Sequence, residues 1–129
     1  MASARLTTIA IVDDEASVRK ALLRLFRASG YDARAFASGP EFLGTLPDSH
    51  YDCLVLDLQM PKMSGLEVQL DNAFLKAQLP TVIITAHDEP EARRKCLAAG
   101  ADAFLCKPFD ANELLDVVVS AIRGWLRHE

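Results

Sequence analysis

Five short strand-like runs, each followed by a stretch with helical spacing, leave this 129-residue chain very few folds to adopt. The runs are Thr8–Val12, Tyr31–Phe36, Cys53–Leu56, Pro80–Thr85 and Ala101–Cys106. Apolar runs of that length bounded by polar residues read as buried strands of a parallel sheet. Tyr31 to Phe36 alternates polar and apolar instead, as a half-exposed edge strand does. Between the strands, Val18, Ala21, Leu22, Leu25 and Phe26 recur at i, i+3, i+4, i+7 and i+8, the spacing of an amphipathic helix. Leu66, Leu70, Ala73, Phe74 and Ala77 give a third helix its buried face, and Leu115, Val118, Val119, Ile122 and Leu126 give the last one its own.

The punctuation agrees. Ser29-Gly30 closes the first helix, and Ser38-Gly39-Pro40-Glu41 opens the second with a capping-box pattern. Asp88-Glu89-Pro90-Glu91 starts the fourth with an acidic cap and an early proline, Gly100 ends it, and Asp110 to Glu113 caps the last. Strands joined by helices imply right-handed crossovers. The predicted class is α/β: one doubly wound, flavodoxin-like (βα)5 domain over residues 1–129, its five-stranded parallel sheet in the order 2-1-3-4-5. The first strand is expected at about residues 7–12, the strand reaching Asp57 at about 52–57, and the last helix at about 110–127.

In that order the carboxyl ends of strands 1, 3, 4 and 5 share one crevice. Those ends carry Asp13-Asp14, Asp57, Thr85 and Lys107. Each has a plain structural role by itself: Asp14 as a helix N-cap, Thr85 as a strand end, Lys107 as a solvated lysine before a turn. Together they make a chemical set. Three converging carboxylates repel one another unless a cation sits among them. Mg²⁺ suits hard oxygen donors that leave room for phosphate oxygens. Lys107 adds a point charge, Thr85 a hydrogen bond to a phosphoryl oxygen, and one carboxylate could attack phosphorus to form an aspartyl-phosphate.

Composition removes other classes. A net charge of -4 argues against binding nucleic acid through a basic face. No apolar stretch nears the ~18 residues that span a bilayer, so no membrane association is expected. Leu6 to Val12 runs straight into Asp13-Asp14-Glu15 without a cleavage site, a strand rather than a signal peptide. Cys53, Cys96 and Cys106 lack metal-ligand spacing and sit in apolar contexts, as reduced thiols of a cytoplasmic protein do. No role follows for Cys106, although it adjoins Lys107.

The segments Ile11-Val12-Asp13-Asp14-Glu15, Leu56-Asp57-Leu58-Gln59-Met60-Pro61, Ile84-Thr85-Ala86 and Gly100-Ala101-Asp102 through Lys107-Pro108-Phe109 resemble the receiver domain of bacterial two-component response regulators. The resemblance covers essentially the whole chain. It implies that Asp57 accepts a phosphoryl group from a sensor histidine kinase. It implies Mg²⁺, with Mn²⁺ able to substitute, held by Asp14, Asp57 and the backbone carbonyl of Gln59, with Asp13 acting through water. Lys107 would pair with the phosphoryl group, and the Lys107–Pro108 bond would be cis. Thr85 would then move inward with the ring of Phe104 following, reshaping the face made by the fourth helix, fifth strand and fifth helix. That face would control an output domain or protein of unknown identity, with a homodimer on phosphorylation among the forms to expect. Self-phosphorylation from phosphohistidine or small donors and slow self-dephosphorylation follow too, though this is not an enzyme in the usual sense.

Some positions depart from the common pattern. Gln59 and His87 resemble the variable positions that tune phosphoryl lifetime in that family. Lys62 replaces a frequent glycine, Phe104 lacks a tyrosine's hydroxyl, and Ala103 replaces an acidic residue of one DNA-binding subgroup. Arg93-Arg94-Lys95 forms a solvated face able to dock an acidic partner. A dehalogenase-type phosphatase needs an aspartate where Gln59 stands and is rejected. A flavodoxin-like FMN carrier lacks its phosphate loop, since Asp13-Asp14-Glu15 would repel the phosphate. A phosphorylation-independent binding module usually goes with loss of an acidic or lysine position, and all are retained here. A single-domain regulator and a receiver cut from a longer protein both agree with the sequence.

Overall fold

Strand runs rich in β-branched residues and buried on both faces can pair only inside a covered sheet, and that is where the computed structural model, which describes residues 6–127, places them. The elements are β1 (Thr8–Val12), α1 (Ala16–Ala28), β2 (Asp32–Phe36), α2 (Gly39–Leu43), β3 (Cys53–Asp57), α3 (Gly65–Leu70), α4 (Asn72–Ala77), β4 (Thr81–Thr85), α5 (Pro90–Ala98), β5 (Ala103–Cys106) and α6 (Ala111–Arg127). All strand pairs are parallel. The sheet order is β2-β1-β3-β4-β5, as the sequence predicts. β1, β3 and β4 are buried along their whole length.

Successive strand residues point to opposite faces, so the sheet feeds two cores. Ala10, Val12, Leu54, Leu56 and Ile83 pack with Phe42, Val68 and Phe74 on one side. Ile9, Ile11, Val55, Val82 and Ile84 pack with Leu22, Phe26, Leu114 and Val118 on the other. Gly30 and Gly100, at φ 94° and 105°, turn the chain out of α1 and α5 in the left-handed conformation that disfavours a side chain.

The helices correct several expectations. The third predicted helix is two, because Asp71 adopts an extended conformation and caps α4 by accepting the Ala73 N–H at 2.9 Å. Leu70 is exposed and its neighbours Val68 and Gln69 are buried, so the inward face differs from the predicted one. α6 buries Leu114, Val118 and Ala121, and Leu126 faces outward. The N-cap of α1 is Glu15 rather than Asp14. Glu89, at the N-cap of α5, makes no side-chain capping bond. Ser38 accepts the Glu41 N–H at 3.3 Å, and the reciprocal capping box forms instead between Ser64 and Glu67.

Candidate functional site

Register assembles the site. Val12 lies opposite Leu56, so Asp13 and Asp57 come next, side by side where β1 and β3 end. Thr85 closes β4 opposite Cys106, and Lys107 follows. The Lys107 amide donates to the Thr85 carbonyl at 2.7 Å, which fixes the lysine backbone against β4, and the Lys107–Pro108 bond is cis.

Lys107 Nζ donates to Asp13 Oδ2 at 3.0 Å and lies 3.6 Å from Asp57 Oδ1. Asp13 is fully buried, and its other oxygen accepts the Glu15 N–H at 2.9 Å. Its carbonyl accepts from Arg19 Nη1 at 2.8 Å. Asp14, exposed at the rim, completes a group in which one carboxylate oxygen from each of Asp13, Asp14 and Asp57 lies within 4.8 Å of the others. Burial, then the charge of Asp13, push the Asp57 carboxyl up to about 7 against the pull of Lys107. Burial works against the Lys107 ammonium, but the hydrogen bond to Asp13 and the charge of Asp57 outweigh it and raise its pKa.

Two buried carboxylates and a third at the rim, against one ammonium, leave a surplus of negative charge. A set of oxygen donors with no sulfur or imidazole suits a hard divalent cation, so the residues present fit a metal of the Mg²⁺ class.

The other predicted residues have partners of their own. Thr85, fully buried, puts its hydroxyl 2.6 Å from Gln59 Oε1 and 3.1 Å from the His87 carbonyl, and accepts the His87 N–H at 3.1 Å. Phe104 is buried beneath Arg93. Lys62 is exposed, and Cys106 is half-buried with a free thiol. A cavity of about 620 Å³ opens beside the carboxylates rather than over them, between the β3–α3 loop and α5.

Two contacts escaped the sequence. The Gln59 side chain reaches Thr85 because β3 and β4 are neighbours, a signal that the predicted strand order already contained. Arg93 covers Phe104 across 11 positions of the chain, and the basic run on α5 gave no hint of which arginine would turn inward.

Comparison with known proteins agrees with this geometry. The family model described as response regulator receiver domain matches residues 9–119. Nodulation protein W of Bradyrhizobium diazoefficiens is 42% identical over 112 residues, 86% of this chain and 49% of that protein. The transcriptional regulatory protein FixJ of Rhizobium meliloti is 35% identical over 114 residues, 88% of this chain and 56% of that one. The chain thus spans about half the length of these curated relatives. The crystal structure of a CheY-like receiver domain protein from Methanospirillum hungatei matches 97% of this chain and 100% of that one, with a TM-score of 0.90 at 23% identity, a likeness of fold alone. Among the described residues, no helix is long and apolar enough to cross a membrane. The chain belongs to the response regulator receiver domain family, the phosphorylation-dependent signalling domains of two-component systems.

Proposed function

We propose that this domain is switched by a phosphoryl group carried on Asp57. The observation that carries the reading is Lys107 lying between Asp13 and Asp57, with Asp14 beside them, at the carboxyl ends of adjacent strands. An Asp57 oxygen attacks phosphorus of a kinase phosphohistidine or a small phosphodonor. The O–P bond forms as the P–N or P–O bond of the donor breaks, and the leaving group takes the electron pair. Lys107 holds one phosphoryl oxygen as a fixed positive charge. Asp14 and Asp57, with the Gln59 backbone carbonyl, would hold Mg²⁺, and Asp13 would act through water. When bound, the ion supplies the remaining positive charge against the phosphoryl oxygens. Slow hydrolysis of the aspartyl-phosphate resets the switch, with Gln59 and His87 setting its rate.

The output is a shift at the face of α5, β5 and α6, with Thr85 and Phe104 as the moving parts. An attached output domain or a separate protein reads that face, and pairing of two phosphorylated chains is one form of the reading. The likeness to FixJ, a transcriptional regulatory protein, favours transcription as the process controlled. A sensor histidine kinase supplies the phosphoryl group, and the cytoplasm is where the two would meet.

The test is incubation with acetyl phosphate, with and without Mg²⁺, followed by intact mass and peptide mapping. A Mg²⁺-dependent gain of ~80 Da, one phosphoryl group captured covalently, is expected on Asp57 and absent from Asp57→Ala. Labelling of Asp57→Ala at the normal rate would sink the assignment.

A further inference from the structure

We propose that the Gln59 side chain is an internal competitor for the Thr85 hydroxyl, a latch that opens before Thr85 serves a phosphoryl oxygen. The inference rests on the Asp57 phosphoacceptor reading and names the group that opposes it.

A threonine hydroxyl carries one hydrogen. Thr85 Oγ1 lies 2.6 Å from Gln59 Oε1, at the short end for an O–H···O bond, and 3.1 Å from the His87 carbonyl. With Gln59 Oε1 facing Thr85, the hydrogen goes to Gln59. With the amide turned over, Gln59 donates and the hydrogen goes to the His87 carbonyl. Either orientation commits the hydrogen within the protein. The acceptor side of the hydroxyl is engaged as well, by the His87 N–H at 3.1 Å.

An unprotonated phosphoryl oxygen accepts hydrogen bonds only, so it gains Thr85 only by displacing an acceptor already in place. Thr85 is fully buried, so while Gln59 stays in place its hydroxyl depends on protein partners. Gln59 is exposed, on the loop two residues beyond Asp57, so its side chain can swing away without disturbing the core. Length decides the effect. A glutamine at this position spans to Thr85, whereas alanine cannot. The latch therefore weakens the site for its anionic ligand and holds the switch in its unphosphorylated form until the ligand arrives.

The test measures beryllofluoride binding by ¹⁹F NMR in saturating Mg²⁺, with melting curves to show that each variant is folded. Gln59→Ala leaves only the longer bond to the His87 carbonyl to be displaced and is expected to bind about three- to fivefold more tightly than wild type, up to the worth of one net hydrogen bond. In a Thr85→Val background, the same substitution should change binding by less than about twofold, because the shared partner has gone. Thr85→Ser keeps the hydroxyl and should restore the gain. Should Thr85→Val fail to fold, Thr85→Ala provides the hydroxyl-free background. An equal gain with and without the hydroxyl overturns the latch, since Gln59 would then act by bulk alone. No gain in any background overturns it too. Absence of binding to wild type removes the phosphoacceptor reading and the latch with it, a result visible before any variant is made.

Discussion

Arg93 lies across the ring of Phe104, its guanidinium carbon 5.1 Å from the ring centroid. Its Nη2 reaches the Phe104 carbonyl at 3.5 Å, and its Nε lies 4.0 Å from Asp88 Oδ1. The ring is therefore held inward while Thr85 is bonded to Gln59. A cation over a ring at a half-exposed site contributes ~0.5–1 kcal/mol. Arg93→Ala is expected to lower stability by about that much in urea denaturation, and most of the difference should vanish in a Phe104→Leu background. An equal loss in both backgrounds would place the effect elsewhere, with Asp88 as the next suspect.

The raised pKa of Asp57, about 7, makes a prediction about pH. Its unfolded value is the ordinary ~3.9, so between about pH 4 and pH 7 the metal-free folded state keeps a proton that the unfolded state has lost. Stability contributed by this group is present below that window and is lost as pH rises through it. Asp57→Asn carries no charge and should melt a few degrees above wild type at about pH 8 in EDTA, with the gap closing toward pH 4. A gap independent of pH would mean that the carboxylates are not crowded as described.

Mg²⁺ should reverse that penalty. Addition of ~10 mM MgCl₂ is expected to raise the melting temperature of wild type by a few degrees through binding to the folded state alone. Asp14→Ala removes one of the three carboxylates from an exposed position and should abolish the rise without lowering the metal-free melting temperature. A rise that survives in Asp14→Ala would count against the site as drawn.

Gly65 is required by space rather than by its backbone angles. A Cβ there would lie 2.7 Å from the Asp57 carbonyl oxygen and 3.0 Å from Leu58 Cα, both backbone atoms. Gly65→Ala is expected to cost ~1–3 kcal/mol and to slow acetyl phosphate labelling, because the loop after Asp57 has to shift. Gly124→Ala is the control: its Cβ meets nothing within 4 Å. That change in α6 should be neutral or stabilising by up to ~1 kcal/mol, as alanine is the better helix former.

The sheet was legible because β1, β3 and β4 are apolar runs with abrupt polar ends, and the meeting of Asp13, Asp57 and Lys107 followed from their order. What escaped depends on competition between local and distant partners. Leu66, Leu70, Ala73 and Phe74 keep helical spacing through Asp71, yet that aspartate takes the Ala73 N–H and stops the helix, a local bond that periodicity does not register. Gln69 is fully buried and donates to the Cys96 carbonyl at 3.0 Å, a place that a polarity pattern assigns to a leucine. Only the packing of α3 on α5 puts it there. The Gln59–Thr85 and Arg93–Phe104 contacts are of the same kind: side chains distant in sequence and joined by topology.

β5 borders the sheet and pairs with β4 alone, whereas β1, β3 and β4 each have a neighbour on both sides. Under the proposed function this divides the molecule into an anvil and a hinged margin. Distortion at Phe104 loosens one ladder of hydrogen bonds, while the same distortion at the centre would tear two. Amide exchange should accordingly find β5 opening well before β3, so under that reading the message leaves by a border strand, whose movement strains the remainder less than a central one would.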